Sequence, residues 1–93
     1  MTDLYTTILT LKDKKELIAF LSDLCTPTEL RYLHERWRIA QLLDEKKIIQ
    51  KDIAAKNKFG IATITRVSRA LKDSPYGGYR IALGRLHSSD KKK

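Results

Sequence analysis

Residues 50–72, QKDIAAKNKFGIATITRVSRALK, carry two short helical patterns that meet at Phe59-Gly60. Two short helices joined by so short a turn, each with one inward stripe, have the outline of a helix-turn-helix. In the first pattern Ile53 points inward, Ala54 is small enough for a close crossing, and Gln50 and Lys51 open the helix. In the second, Ile61, Ile64, Val67 and Leu71 recur three and four apart as one inward stripe. Gly60 precedes that helix, and Ala62, Thr63, Thr65, Arg66 and Arg69 fall on its other faces. Short residues near the start of such a helix let its backbone lie deep in a DNA major groove. There a threonine can bond either base type, and an alanine or threonine methyl can touch the thymine methyl. The pattern predicts a DNA reader, although an amphipathic hairpin with a solvated basic face satisfies the same periodicity.

Charge separates these two readings further. The formal net charge of the 93 residues is +8, and its placement is uneven. Residues 1–26 set Lys12, Lys14 and Lys15 against Asp3, Asp13, Glu16 and Asp23. Between 46 and 72, eight cations face the single acid Asp52. The excess therefore coincides with the expected reader, and binding should weaken steeply with salt as phosphates are neutralised and counterions released. RNA or an acidic membrane would also meet a basic surface. Duplex DNA is favoured by the two-helix pattern and by the lack of paired aromatics spaced for stacking single-stranded bases.

A chain of this length is read as a single domain spanning 1–87, small enough that dimerisation would add useful burial. No apolar stretch is long enough to span a bilayer, and Met1-Thr2-Asp3-Leu4 does not open a secretion signal, so a cytoplasmic location and no membrane partner are expected. Cys25, the single cysteine, has no second cysteine for an intramolecular disulfide or a zinc site and reads as a small apolar residue. No catalytic residue and no metal site are expected: His34 and His87 stand apart from any nucleophile or metal-ligand spacing.

The remaining segments are helical in period. Leu4, Ile8 and Leu11 form a short stripe, and Leu17, Ile18, Leu21, Leu24 and Cys25 a second; neither is wide enough to be stable alone. Thr26, Pro27 and Glu29 make a capping box with proline at the first helical position, starting a helix predicted to reach about Lys46 through Leu30, Leu33, Trp37, Ala40 and Leu43. Ser74-Pro75 repeats the cap-then-proline signal before Tyr79, Ala82, Leu83 and Leu86, predicting a helix from about Pro75 whose first turn Gly77 and Gly78 weaken, so that it begins late or stays mobile. Residues 88–93 read as a flexible basic tail without an apolar anchor. No strand pattern survives, so the chain is expected to be all-α with about six helices.

Thr26-Pro27 with Glu29, Arg36 and Arg38-Ile39, and the run Gly60-Ile61-Ala62-Thr63-Ile64-Thr65-Arg66 followed by Ser68 and Leu71-Lys72 resemble the tryptophan repressor family. GIATITR matches the family's recognition-helix signature, and the stretch from Thr26 to Leu71 carries most of the likeness. The resemblance implies an intertwined helical homodimer whose two readers face successive major grooves of a near-palindromic operator. It assigns DNA contacts to Gln50, Lys51, Gly60, Ile61, Ala62, Thr63 and Thr65, with Arg36 and Arg66 near phosphates; Arg69 joins this set from its place on the outward face. Ala54 stands where the family has a lysine that reads DNA, and Lys58 stands where the turn has glycine.

The same resemblance implies an effector pocket around Arg36, Ile39, Thr63, Arg66, Val67 and Ala70. Val67 replaces a glycine that makes room for the indole of tryptophan, and Ala70 replaces a serine that helps hold its ammonium. A site that has lost a buried hydrogen-bond partner discriminates against the ligand that needs it. Tryptophan is therefore expected to bind weakly or not at all, no cofactor is expected, and any small effector is unidentified. Arg36 and Arg66 are equally explained by pairing with phosphates or carboxylates. The combination places the chain nearer the repressor-related bacterial branch than the tryptophan sensor. The expected function is that of a sequence-specific, homodimeric transcriptional regulator, with a repressor as the first form considered. The alternative is a protein-interaction module whose basic helical face docks on an acidic partner.

Overall fold

A computed structural model of the chain describes residues 1–45 and 60–91, with side chains through His87. Among the described residues five helices follow one another: α1 (Leu4–Leu9), α2 (Lys14–Leu24), α3 (Pro27–Asp44), α4 (Ile61–Asp73) and α5 (Gly78–Lys91). The all-α class is as expected. The first helix of the predicted reader, with Gln50, Lys51, Ile53 and Ala54, lies outside the described residues.

Side-chain caps set the starts of the first three helices. Asp3 accepts the Thr6 backbone N–H at 2.8 Å, and Asp13 accepts that of Glu16 at 2.9 Å. At α3 the reciprocal box is complete: the Glu29 N–H donates to Thr26 Oγ1 at 3.1 Å, and the Thr26 N–H donates to Glu29 Oε1 at 2.8 Å. Each such bond satisfies a backbone donor that the helix itself leaves without a partner. The Thr26 backbone N–H, and after it the Thr26 hydroxyl, hold the Glu29 carboxyl below its ordinary pKa. The Thr6 N–H and hydroxyl do the same for Asp3.

The chain divides into two compact units, Met1–Leu33 and His34–Lys93. In the first, no side chain is fully buried. Leu4, Tyr5, Leu9, Ile18, Leu24, Tyr32 and Leu33 are all exposed large apolar residues. In the second, Ile39 and Ala40 of α3, Ile64, Val67 and Leu71 of α4, and Leu83 of α5 form a core, with Trp37, Leu42, Leu43 and Tyr79 packed against it. The Trp37 and Tyr79 rings stack with centroids 6.3 Å apart and planes 15° from parallel. Such a pair contributes about 0.5–1.5 kcal/mol beyond its buried area.

The start and the far end of the last helix differ from the sequence reading. Ser74 does not open the last helix. Its backbone N–H closes α4 on the Ala70 carbonyl at 3.2 Å, and its hydroxyl accepts the Tyr76 N–H at 3.2 Å. The chain then turns through Gly77 at φ +63°, a left-handed conformation that disfavours any side chain, and α5 starts only at Gly78. The helix continues to Lys91, into the segment read as a tail. His87 Nε2 lies 2.7 Å from Asp44 Oδ2, tying α5 to the end of α3.

Candidate nucleic-acid interface

The outward face of α4 follows from its inward one. At 3.6 residues per turn each position advances about 100°, so Ile64, Val67 and Leu71 share one side. All three are buried, Ile64 at 0% and Val67 at 1% exposure, and they hold the helix against Ile39 and Ala40. Ser68 is buried beside them and is not without a partner. Around an arc of about 140° on the other side lie Ile61, Lys72, Thr65, Arg69, Ala62, Asp73 and Arg66. Ile61, Ala62, Arg66, Arg69 and Lys72 are exposed, and Thr63 and Thr65 are half-buried.

Ile61 corrects the expected stripe. Sequence spacing placed it inward with Ile64, whereas it is 60% exposed. Helical side chains tilt toward the N-terminus, so a residue in the first position reaches past the end of its own helix instead of onto the core. Gly60 is the N-cap, extended at φ −68°, and makes no side-chain cap bond. A Cβ added there would meet only Thr63 Oγ1, at 3.9 Å. Nothing within the described fold requires a glycine at that position.

The helix Ile61–Asp73 contains three cations, Arg66, Arg69 and Lys72, against one acid, the exposed Asp73 in its last turn. The helix therefore offers a basic, small-residue surface with one exposed aliphatic side chain. Gln50 and Lys51, the other expected contacts, lie outside the described residues.

The expected effector residues are more scattered in character. Arg36, Thr63 and Ala70 are half-buried and Arg66 is exposed, whereas Ile39 and Val67 are core side chains. Two surface grooves occur nearby. One, of about 270 Å³, is lined by Ala70, Ser74, Tyr76, Gly78 and Tyr79. The other, of about 250 Å³, is lined by Gln41, Asp44, Glu45, Leu83, Leu86 and His87. Arg36 and Arg66 line neither groove.

Sequence reasoning missed the burial of Ser68 and the His87–Asp44 pair. The first was legible in principle, since Ser68 lies one turn from both Ile64 and Leu71. The second joins residues 43 apart and left no local signal. Among the described residues no group of three His, Cys, Asp or Glu side chains could hold a metal, and no helix is long and apolar enough to cross a membrane.

Comparison with known proteins agrees with this geometry. The family described as "Trp repressor protein" matches residues 1–87. The chain belongs to the Trp repressor family, a family of helix-turn-helix DNA-binding regulators. It is also similar to a Bacillus subtilis (strain 168) protein named "Uncharacterized protein YerC", at 36% identity over 92 residues, covering 97% of this chain and 85% of that protein. YerC is a Trp-repressor-related bacterial protein, in keeping with the branch expected from Val67 and Ala70. No solved structure gives a significant match.

Proposed function

We propose that this chain is a homodimeric, sequence-specific transcriptional regulator that represses by occupying an operator in duplex DNA. The observation that carries the reading is the sorting of side chains around α4. Its aliphatic residues fix the helix in the core, while Ala62, Thr65, Arg66 and Arg69 are left on one outward arc. In this reading Arg66 and Arg69 meet phosphates, and Gly60, Ile61, Ala62, Thr63 and Thr65 face base edges. Gln50 and Lys51 add contacts from the preceding segment.

Dimerisation is supported by the first unit. Seven large apolar side chains between Leu4 and Leu33 are exposed and none is fully buried, a condition that a second copy would relieve. Two readers related by a two-fold axis would then meet two half-sites one helical turn apart. Tryptophan is not part of the mechanism: Val67 is committed to the core, and Ala70 offers no hydroxyl. Such a regulator works in the cytoplasm.

The test is selection of duplexes from a random pool by the full-length protein, with and without tryptophan. Enrichment of a two-fold symmetric site in both conditions is expected. Enrichment only with tryptophan would overturn the effector argument. No enrichment, with tight binding to an acidic protein instead, would replace the DNA reading with a protein-docking one.

A further inference from the structure

Resting on the DNA-binding reading, we infer that His87 and Asp44 are positioning residues for the reader: their contact fixes the far part of α5 on the end of α3, from which the chain passes on to residues 46–59. Three contacts fasten α5, in chain order. The Tyr79 ring stacks on Trp37 of α3 at a centroid distance of 6.3 Å, Leu83 enters the core with Ile39, Ala40 and Leu71, and His87 Nε2 meets Asp44 Oδ2 at 2.7 Å. Positions on the two helices rise together, so α5 runs in the same direction as α3 for about two turns, roughly 12 Å at 1.5 Å per residue. Since α5 also packs on α4, one helix braces both the reader helix and the end of α3.

The last of these contacts is polar for a physical reason. Asp44 stands in the final turn of α3, which holds no basic residue, and the unpaired carbonyls of a helix end repel a carboxylate there. A donor from another element offsets that repulsion. The carboxylate oxygen accepts, so Nε2 of His87 carries the hydrogen and donates. Beyond Leu83 the two helices border a groove of about 250 Å³ lined by Gln41, Asp44, Glu45, Leu83, Leu86 and His87, and the polar pair joins its walls. Among the described residues it is the single ion pair. Its place decides what it affects. Phosphate contacts rest on charge and tolerate a small change in helix angle, whereas reading base edges needs the reader held in register. A tie at Asp44, just before the segment that carries Gln50 and Lys51, therefore bears on discrimination between sequences more than on attraction to DNA as such.

The test uses the full-length protein, the duplex it selects from a random pool, and an unrelated duplex of equal length. His87→Ala should lower affinity for the selected duplex about threefold, the scale of a partly exposed tie, and leave affinity for the unrelated duplex unchanged. His87→Gln, whose amide can donate from about the same place as Nε2, should recover most of that loss. Asp44→Ala removes a negative charge and so favours both duplexes alike, yet the ratio between them should fall as it does in His87→Ala. The double variant should lose no more of that ratio than either single one. All comparisons are made well below the thermal midpoint, with helix content verified by circular dichroism. An unchanged ratio in His87→Ala, or an equal loss on both duplexes, would overturn this inference while leaving the DNA-binding reading in place. So would a His87→Gln protein that behaves like His87→Ala. A protein that selects no duplex would remove the DNA-binding reading and this inference together.

Discussion

Gly60 and Gly77 look alike in sequence and are held for opposite reasons. Gly77 sits at φ +63°, so Gly77→Ala should destabilise the protein by about 1 kcal/mol through the left-handed backbone alone, read as a lower thermal midpoint. Gly60 has ordinary extended φ and room for a Cβ, so Gly60→Ala should leave the midpoint nearly unchanged. If the backbone there approaches DNA, the same change should weaken duplex binding about tenfold, the scale of one lost hydrogen bond. A large drop in stability for Gly60→Ala, with affinity intact, would remove Gly60 from the interface. Val67 gives a second contrast. Restoring the room for an indole with Val67→Gly and Ala70→Ser should cost on the order of 3 kcal/mol, because Val67 is a core side chain in mid-helix. Calorimetry should nevertheless detect tryptophan on the folded double variant if Arg36 and Arg66 flank a pocket. Its absence from a variant proven folded would leave those arginines as phosphate or carboxylate partners.

The helices differ in how far their starts could be read. The Thr26-Pro27-Glu29 box specified α3, because all its partners lie within three residues and the bonds form as the sequence predicts. Ser74-Pro75 carried a similar signal but is not the cap: the helix begins late, at Gly78, as the two glycines suggested, because Gly77 admits a turn that Ser74 joins from the other side, as the C-cap of α4. A capping residue is thus ambiguous in sequence when a glycine follows closely. Thr26→Ala should cost about 1 kcal/mol, as for other N-cap deletions. The box also predicts a pH dependence of definite sign. The carboxyl of Glu29 is held below its ordinary pKa when folded, so its contribution is present above that ordinary value and is lost as pH falls through the folded one. The difference in thermal midpoint between the native protein and Glu29→Gln should accordingly exist at neutral pH and shrink in acid. An undiminished difference well below the carboxylate range would mean that the charged form of Glu29 plays no part in the cap.

At the scale of the whole molecule, the sequence made the helical class and the amphipathic helix α4 legible because both are written in local periodicity. What covers the N-terminal apolar residues was legible only as a deficiency: the stripes of α1 and α2 were too narrow to stand alone, and the first unit indeed has no buried side chain. A second copy is the proposed cover. Sedimentation should therefore show a dimer that persists to low concentration and dissociates, with loss of helix, when Leu9 or Leu24 is replaced by a charged residue. A monomer that retains full helix content would contradict this. The decisive measurement is a chemical-protection footprint of the protein on its selected duplex. A dimer of DNA readers should give two symmetric patches of major-groove protection centred about 10 base pairs apart, fading steeply as salt is raised. Diffuse protection without sequence preference, or none at all, would contradict it.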